Sequence, residues 1–351
     1  MTTAMTRAST GGGERRAAAL GLLLLAPITA EYLYGYDDST GNVGELLGGL
    51  FLFAPLYGGA ALIVREATRR TGRGWPTILL LGLAFGVLQA GVVDQSMFNP
   101  SYRDIDFWDA WFRSFDVAAL GLNPIMALAF TVGHMIWSIA VPIAVVEALV
   151  PRSRTTPWLG PLGLTAVVAG FVAAAGGVLW WTLDTQDFTA SAGQQAGAVA
   201  VAVALVVAAF ARPGRVPPPA REPEAPSPVL AVAAVFVLLG VHLLANVQPD
   251  NGLGSDRLRF LVGGPGFVLD LAALGALGVL LVDWSRRRGW GSVHRLAVAG
   301  GALLVNVVTA FASEPIGDVS DTPKYAHNTV GLLAVLVVLA VAYRRDSRLA
   351  S

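Results

Sequence analysis

The sequence predicts an all-α fold, a polytopic integral membrane bundle of about ten helices, and three observations carry that prediction. Hydrophobic residues make up 54% of the 351 and charged residues only 14%, against about 25% charged in a soluble domain. The apolar residues come in blocks of about twenty, the length that crosses roughly 30 Å of hydrocarbon as helix. The basic residues alternate between successive loops, as expected when cytoplasmic loops hold the excess of Arg and Lys. The pattern lacks the short alternating strands of an outer-membrane barrel.

In chain order, residues 1–16 are polar and rich in Gly, Ser and Thr, the composition of a disordered tail. Apolar blocks follow at 17–36, 44–65, 75–98, 122–149, 158–183, 190–211, 229–248, 260–283, 291–313 and 326–343. Arg15 and Arg16 ahead of "AAALGLLLLAPITA" permit a signal-peptide reading with cleavage after Ala30. Against it, the run continues through Tyr32–Tyr36 as a full span does.

The loops test the count. One alternating set holds Arg7, Arg15, Arg16, Arg65, Arg69, Arg70, Arg73, Arg152, Arg154, Arg212, Arg215, Arg221, Arg286, Arg287, Arg288, Arg295, Arg344, Arg345 and Arg348. The other holds only Arg103, Arg113, Arg257, Arg259 and Lys324. Every loop alternates as ten spans require, so both termini are expected in the cytoplasm. The lone Lys among many Arg, with abundant Ala, Gly and Val, points to a GC-rich bacterial genome and hence the inner membrane.

A Pro-rich stretch, "RPGRVPPPAREPEAPSP" (212–228), reads as an extended linker. It divides a first membrane bundle (17–211) from a second (229–345), with 346–351 as a C-terminal tail. In the long outer loop, "DFWDAWFRSFD" sets Phe107, Trp108, Trp111, Phe112 and Phe115 on one helical stripe. That predicts an amphipathic helix over 106–116 lying in the outer interface, with a lid over an external cavity as the alternative.

Intramembrane polar groups are costly unless they face a partner or water. Asp270 falls nearest the centre of its span and His134 close to the centre of another. Glu31, Gln89, His242 and Asn306 lie somewhat to the outer side, while Asp94 and His327 reach the outer edge. This outward bias makes Glu31, Gln89, Asp94, His134, His242, Asp270, Asn306 and His327 the candidate lining of one outward-facing cavity. For each residue the alternative is simple helix-to-helix hydrogen bonding. At ideal α-helical spacing Asp94 points about 140° away from Gln89, which leaves Gln89 most in need of an internal partner. Pro27 and Pro55 remove backbone bonds near the middle of the first two spans and are expected to kink them. The tyrosines of "EYLYGYDDSTGN" (31–42) suit an interfacial aromatic belt.

Zero net charge excludes a nucleic-acid partner, and the absence of cysteine excludes thiolate sites and Cys nucleophiles. No HExxH, GxSxG or Gly-rich phosphate loop is present, so no metal, cofactor or catalytic residue is assigned. "REATRR" followed by "FGVLQ" resembles, over a short stretch, the EExxxR and FxxxH motifs of the CPBP intramembrane proteases. Glu66 and Arg70 match, but Arg65 stands at the first Glu and Gln89 at the His, so the resemblance implies a relative without the protease chemistry. The partners expected are the lipid bilayer and a small molecule, ion or lipid headgroup. The functional expectation is a transporter-like protein. The alternatives are an intramembrane enzyme acting on a lipid-linked substrate and a non-catalytic assembly subunit.

Overall fold

A helix apolar on every face is stable where lipid or other helices surround it. The computed structural model, which describes residues 2–211, 221–246 and 261–347, is built almost wholly of such helices. After α1 (Thr2–Pro27) come α2 (Val43–Arg70), α3 (Trp75–Val93), α4 (Pro124–Leu149), α5 (Pro161–Thr185) and α6 (Ala192–Ala211). They are followed by α7 (Pro228–Ala245), α8 (Gly264–Trp284), α9 (Ser292–Ala310) and α10 (Asp321–Ser347). Among the described residues α2 to α10 are nine helices long and apolar enough to cross a membrane. The expected first span is covered by the end of α1 and its π-helical continuation, Ile28–Tyr32.

Local chemistry sets the helix ends. Asn42 caps α2 by accepting from Gly44 N and Glu45 N, and Asn123 caps α4 by accepting from Ile125 N and Met126 N. Each cap satisfies donors that have no partner within the helix. Gly72, at φ +67°, supplies the left-handed residue that ends α2, with Arg73 N donating to Thr68 O at 2.9 Å. Proline stands in the first turn of α3 to α5, α7 and α8, where its missing N–H costs nothing.

Helices α2, α3, α4 and α9 form the interior of the bundle, whereas α5, α6 and α10 leave most of their apolar surface facing outward. One apolar cluster joins α1, α2, α3 and α4 around Leu22, Leu62, Ile78 and Ile139. A second joins α4 to α7, α9 and α10 around Val145, Leu239, Leu303 and Val335. Helix α4 belongs to both, so the two halves expected on either side of the Pro-rich stretch pack as one body. Of that stretch, Arg221–Glu224 pairs with Arg287–Arg288 in a short parallel ladder, and 212–220 lie outside the described residues.

Two ends of the bundle are defined by side-chain contacts. At the Arg-rich end, Arg65 bonds Glu66 (3.1 Å) and Glu147 (3.1 Å), and Arg69 bonds Glu147 at 2.6 Å. The Arg65 guanidinium lies 3.2 Å from the Trp158 ring centroid and donates to the carbonyls of Ser153, Arg154 and Thr156. Glu66 also accepts from Trp158 N at 2.7 Å. The "REATRR" motif is therefore a closed, buried ion-pair network, at the other end of the bundle from Gln89. Here too Glu14 accepts from Ser153 Oγ (2.9 Å), which anchors the part of α1 expected as a disordered tail. The tail expectation fails for 12–16 because this contact gives the segment a docking point.

Pro27 has no N–H to offer Leu23 O, and Gly58 of α2 lies directly on that carbonyl. A Cβ at Gly58 would approach Leu23 O to 2.1 Å. Gly58→Ala is expected to force α1 and α2 apart and cost about 1–3 kcal/mol. A thermal melt of the purified variant checks it: an unchanged midpoint would mean that the close approach is not required.

Candidate functional site

The short-range geometry around the kinks departs from α-helix in one consistent way. Four segments carry i→i+5 bonds: Leu33 N to Ile28 O and Asp94 N to Gln89 O, each 3.0 Å, Gly59 N to Ala54 O, and Val141 N to Ile136 O. They define π-helical turns at Ile28–Tyr32 after α1, Ala54–Gly58 in α2, Gln89–Val93 in α3 and His134–Ala140 in α4. Such turns insert a residue into a helix and swing side chains out of the α-helical register. Pro27 immediately precedes the first, Pro55 lies within the second and Pro142 follows the fourth.

All four turns face one cavity of about 580 Å³. Its lining takes Glu31 from the first turn, Leu56 and Tyr57 from the second, Gln89 from the third, and His134, Trp137 and Ser138 from the fourth. Asp94 joins them because the π turn at 89–93 brings i and i+5 together: Gln89 Nε2 donates to Asp94 Oδ2 at 3.2 Å. The 140° separation expected from α-helical spacing is corrected here, since the helix is not α at that point. Gln89 is 2% exposed, and its Oε1 has no hydrogen-bond partner among the described residues.

Tyr36 donates to Glu31 Oε2 at 2.6 Å, and the Tyr57 ring stacks on His134 with centroids 5.7 Å apart. His134 Nδ1 lies 3.1 Å from Ser138 Oγ. Toward the mouth, Arg103 makes a two-pronged pair with Asp37, both contacts 3.1 Å. Burial works against that guanidinium, but the Asp37 carboxylate outweighs it and holds the Arg103 pKa above the ordinary arginine value. Burial, reinforced by the charge of Asp94, holds the Tyr102 phenol well above its usual range. Both groups keep their protons at any physiological pH.

The aromatic loop helix is shorter than the sequence suggests, Trp108–Arg113. Its stripe turns into the protein: Trp108, Trp111 and Phe112 are buried around Met126, and Trp108 stacks on Phe130 at 5.8 Å. This side of the stripe packs against protein. Asn123 fixes the segment by donating to the carbonyls of Trp111 and Phe112, and Phe107, Trp108 and Trp111 line the cavity mouth.

Four of the eight candidate residues, Glu31, Gln89, Asp94 and His134, converge on the cavity. The other four do not line it. His242 Nδ1 lies 2.6 Å from Asp270 Oδ1, and Asn246 Nδ2 donates to Asp270 Oδ2 at 3.0 Å, joining α7 to α8. Trp137 lines the cavity on one side and stacks on His242 at 6.5 Å on the other, so its ring stands between this pair and the cavity. Asn306 donates to Thr29 O (3.4 Å). His327 Nε2 lies 2.7 Å from Tyr32 O. Both hold the π turn that carries Glu31, so they position the site without reaching it.

Tyr36, Tyr57, Tyr102, Arg103 and Trp137 are site residues that sequence reasoning did not select. Tyr36 carried a signal, but the belt reading of 31–42 turned it outward. Among the described residues no three His, Cys, Asp or Glu side chains are grouped to hold a metal ion.

Fold and site together define a class, a polytopic helical membrane protein with a polar and aromatic cavity away from the end that carries the buried Arg65 network. The chain belongs to an uncharacterized membrane protein family, whose model matches residues 20–282. That span takes in α2 to α7, nearly all of α8 and every π turn. No curated protein and no solved structure matches the chain.

The buried pair of α7 and α8 yields a stability test. Removing one partner of a buried hydrogen-bonded pair leaves the other unsatisfied, at about 1–3 kcal/mol. Asp270→Leu is therefore expected to lower the thermal midpoint sharply, and His242→Leu added to it to recover most of the loss. A double variant no better than the single one would show that the pair does not act as a unit.

Proposed function

We propose that this protein binds a small solute in the π-lined cavity and passes it across the membrane. The observation that carries the reading is the convergence of Glu31, Gln89, Asp94 and His134, from three separate helices, on one space of about 580 Å³. That volume is within the usual range of small-molecule sites, roughly 300–1,000 Å³. A packing role for these residues would pair each with its neighbour, yet Gln89 Oε1 is left as an open acceptor in the wall. Broken helices near the membrane centre, with polar groups turned into a cavity, suit the binding of solutes or ions.

The Arg-rich end is read as cytoplasmic by the charge bias of the loops, which makes the cavity outward-facing and puts both termini inside. A bacterial inner membrane fits the composition. The Trp108–Arg113 segment at the mouth serves as a lid, held in place by Asn123.

A ligand that binds only the folded state stabilises it by about 2.7 kcal/mol at a hundredfold excess over Kd. Purified protein is melted against a panel of amines, amino acids, sugars and short carboxylates. At least one solute is expected to raise the midpoint by several degrees. That rise is expected to vanish in Glu31→Gln and Gln89→Leu and to persist, from a lower baseline, in Asp270→Asn. Uptake of the same solute into proteoliposomes then tests movement. A panel without any stabilising solute, or a rise lost only in Asp270→Asn, would contradict the cavity as the binding site.

A further inference from the structure

The cavity wall is one-sided in its chemistry. Its acids are the Glu31 and Asp94 carboxylates, met by the neutral donors Tyr36 on Glu31 and Gln89 Nε2 and Ser96 N on Asp94, and beside them Gln89 Oε1 is an acceptor with no partner among the described residues. Neither carboxylate has a basic side chain within ion-pair distance among the described residues, while the one guanidinium in the lining, Arg103, is engaged by Asp37. The remaining lining acid, Glu314, is met by Lys324 at 2.9 Å. Around the acceptors stand the rings of Tyr57, Trp108, Trp111, Phe130, Trp137 and Trp181. Aromatic faces carry negative electrostatic potential and attract a desolvated cation, above all an ammonium.

Resting on the solute-binding reading above, we infer that the ligand is an organic cation, an ammonium with N–H donors on an apolar, aromatic-sized body. The N–H groups meet Glu31, Asp94 and Gln89 Oε1, and the body packs against the rings. A bare metal ion does not fit this space. The volume far exceeds one ion, and no three potential His, Asp or Glu ligands are grouped within the described residues. An anion would meet carboxylates, with no unpaired guanidinium or ammonium in the lining among the described residues to receive it. A neutral sugar would leave the two acids buried without a counter-charge, which is expensive in a membrane interior.

The wall also indicates how an apolar cation reaches the site. Leu52 of α2 and Trp181 of α5 line the cavity and are 39% and 42% exposed, on two of the apolar helices long enough to cross a membrane. An amphiphilic amine entering from the bilayer meets the rings first and the carboxylates beyond them.

Three probes of one size separate the possibilities: phenethylammonium, neutral 2-phenylethanol and the 3-phenylpropionate anion. Binding to the intact protein in nanodiscs is followed by calorimetry and by quenching of tryptophan fluorescence, since Trp108, Trp111, Trp137 and Trp181 line the space. Phenethylammonium is expected to bind about tenfold or more tightly than either other probe, the scale of a charge-assisted hydrogen bond. Glu31→Gln and Asp94→Asn should each erase most of that preference, weakening phenethylammonium far more than 2-phenylethanol. Gln89→Leu should weaken phenethylammonium more than its quaternary trimethyl analogue, which has no N–H to donate. Equal or tighter binding of the neutral or anionic probe would overturn the cation assignment and leave the cavity as a solute site. Failure of all three probes to bind would overturn both.

Discussion

Backbone hydrogen bonding inside the bilayer is the constraint on which the structure depends. No water is available there to satisfy a free N–H or C=O, so an interruption in a helix must be repaired by the protein itself. Four helices here repair it in the same way, by i→i+5 bonding over one turn. Each repair shifts the register of the side chains that follow, and the four shifts are directed at one space. The rest of the site is support for those turns. Asn306 and His327 hold the first by its carbonyls. Thr29 Oγ1, 2.6 Å from Trp137 O, ties the first turn to the fourth.

Polar chemistry is distributed unevenly between the two ends. At the Arg-rich end every charge of the "REATRR" network has a partner, and Arg65 and Glu66 are wholly buried. A fully paired network of this kind closes one side of the bundle and gives the helices a fixed relation. At the other end Asp37 and Arg103 pair at the mouth, but beneath them Glu31 and Asp94 have only neutral hydrogen-bond donors and Gln89 Oε1 has no partner among the described residues. The two ends thus differ in that one pairs every charge with a counter-charge and the other leaves its two acids without one. The His242–Asp270 pair belongs with the closed network in kind, although it lies closer to the cavity. It is satisfied internally and screened by Trp137.

The helical bundle was legible in the sequence because span length and loop charge depend on composition alone. The apolar blocks align with α2 to α10 within a few residues at most ends. The convergence of Glu31, Gln89, Asp94 and His134 was legible in part, since depth along a helix can be counted at 1.5 Å per residue. Azimuth could not be counted. The α-helical wheel separates Gln89 from Asp94, and only the π turn between them makes them neighbours. Nor does depth reveal which helices adjoin, so Asp270, the most costly group by position, proved to be partnered by His242 one helix away. The tyrosines of 31–42 look like an interfacial belt by composition. Tyr36 turns inward because Glu31 needs a donor, which requires knowing that both face the same space.

The central claim is that Glu31, Gln89 and His134 share a water-reachable cavity from which Asp270 and His242 are excluded. The chain contains no cysteine, so single cysteines introduced one at a time at these five positions report accessibility without background. Reaction rates with a small, charged methanethiosulfonate added to protein in sealed vesicles are the direct measurement. Fast labelling at 31, 89 and 134 from the side opposite the Arg-rich end, with labelling at 242 and 270 slower by orders of magnitude, is the expected result. Comparable rates at all five positions, or labelling at 270 but not at 89, would contradict it.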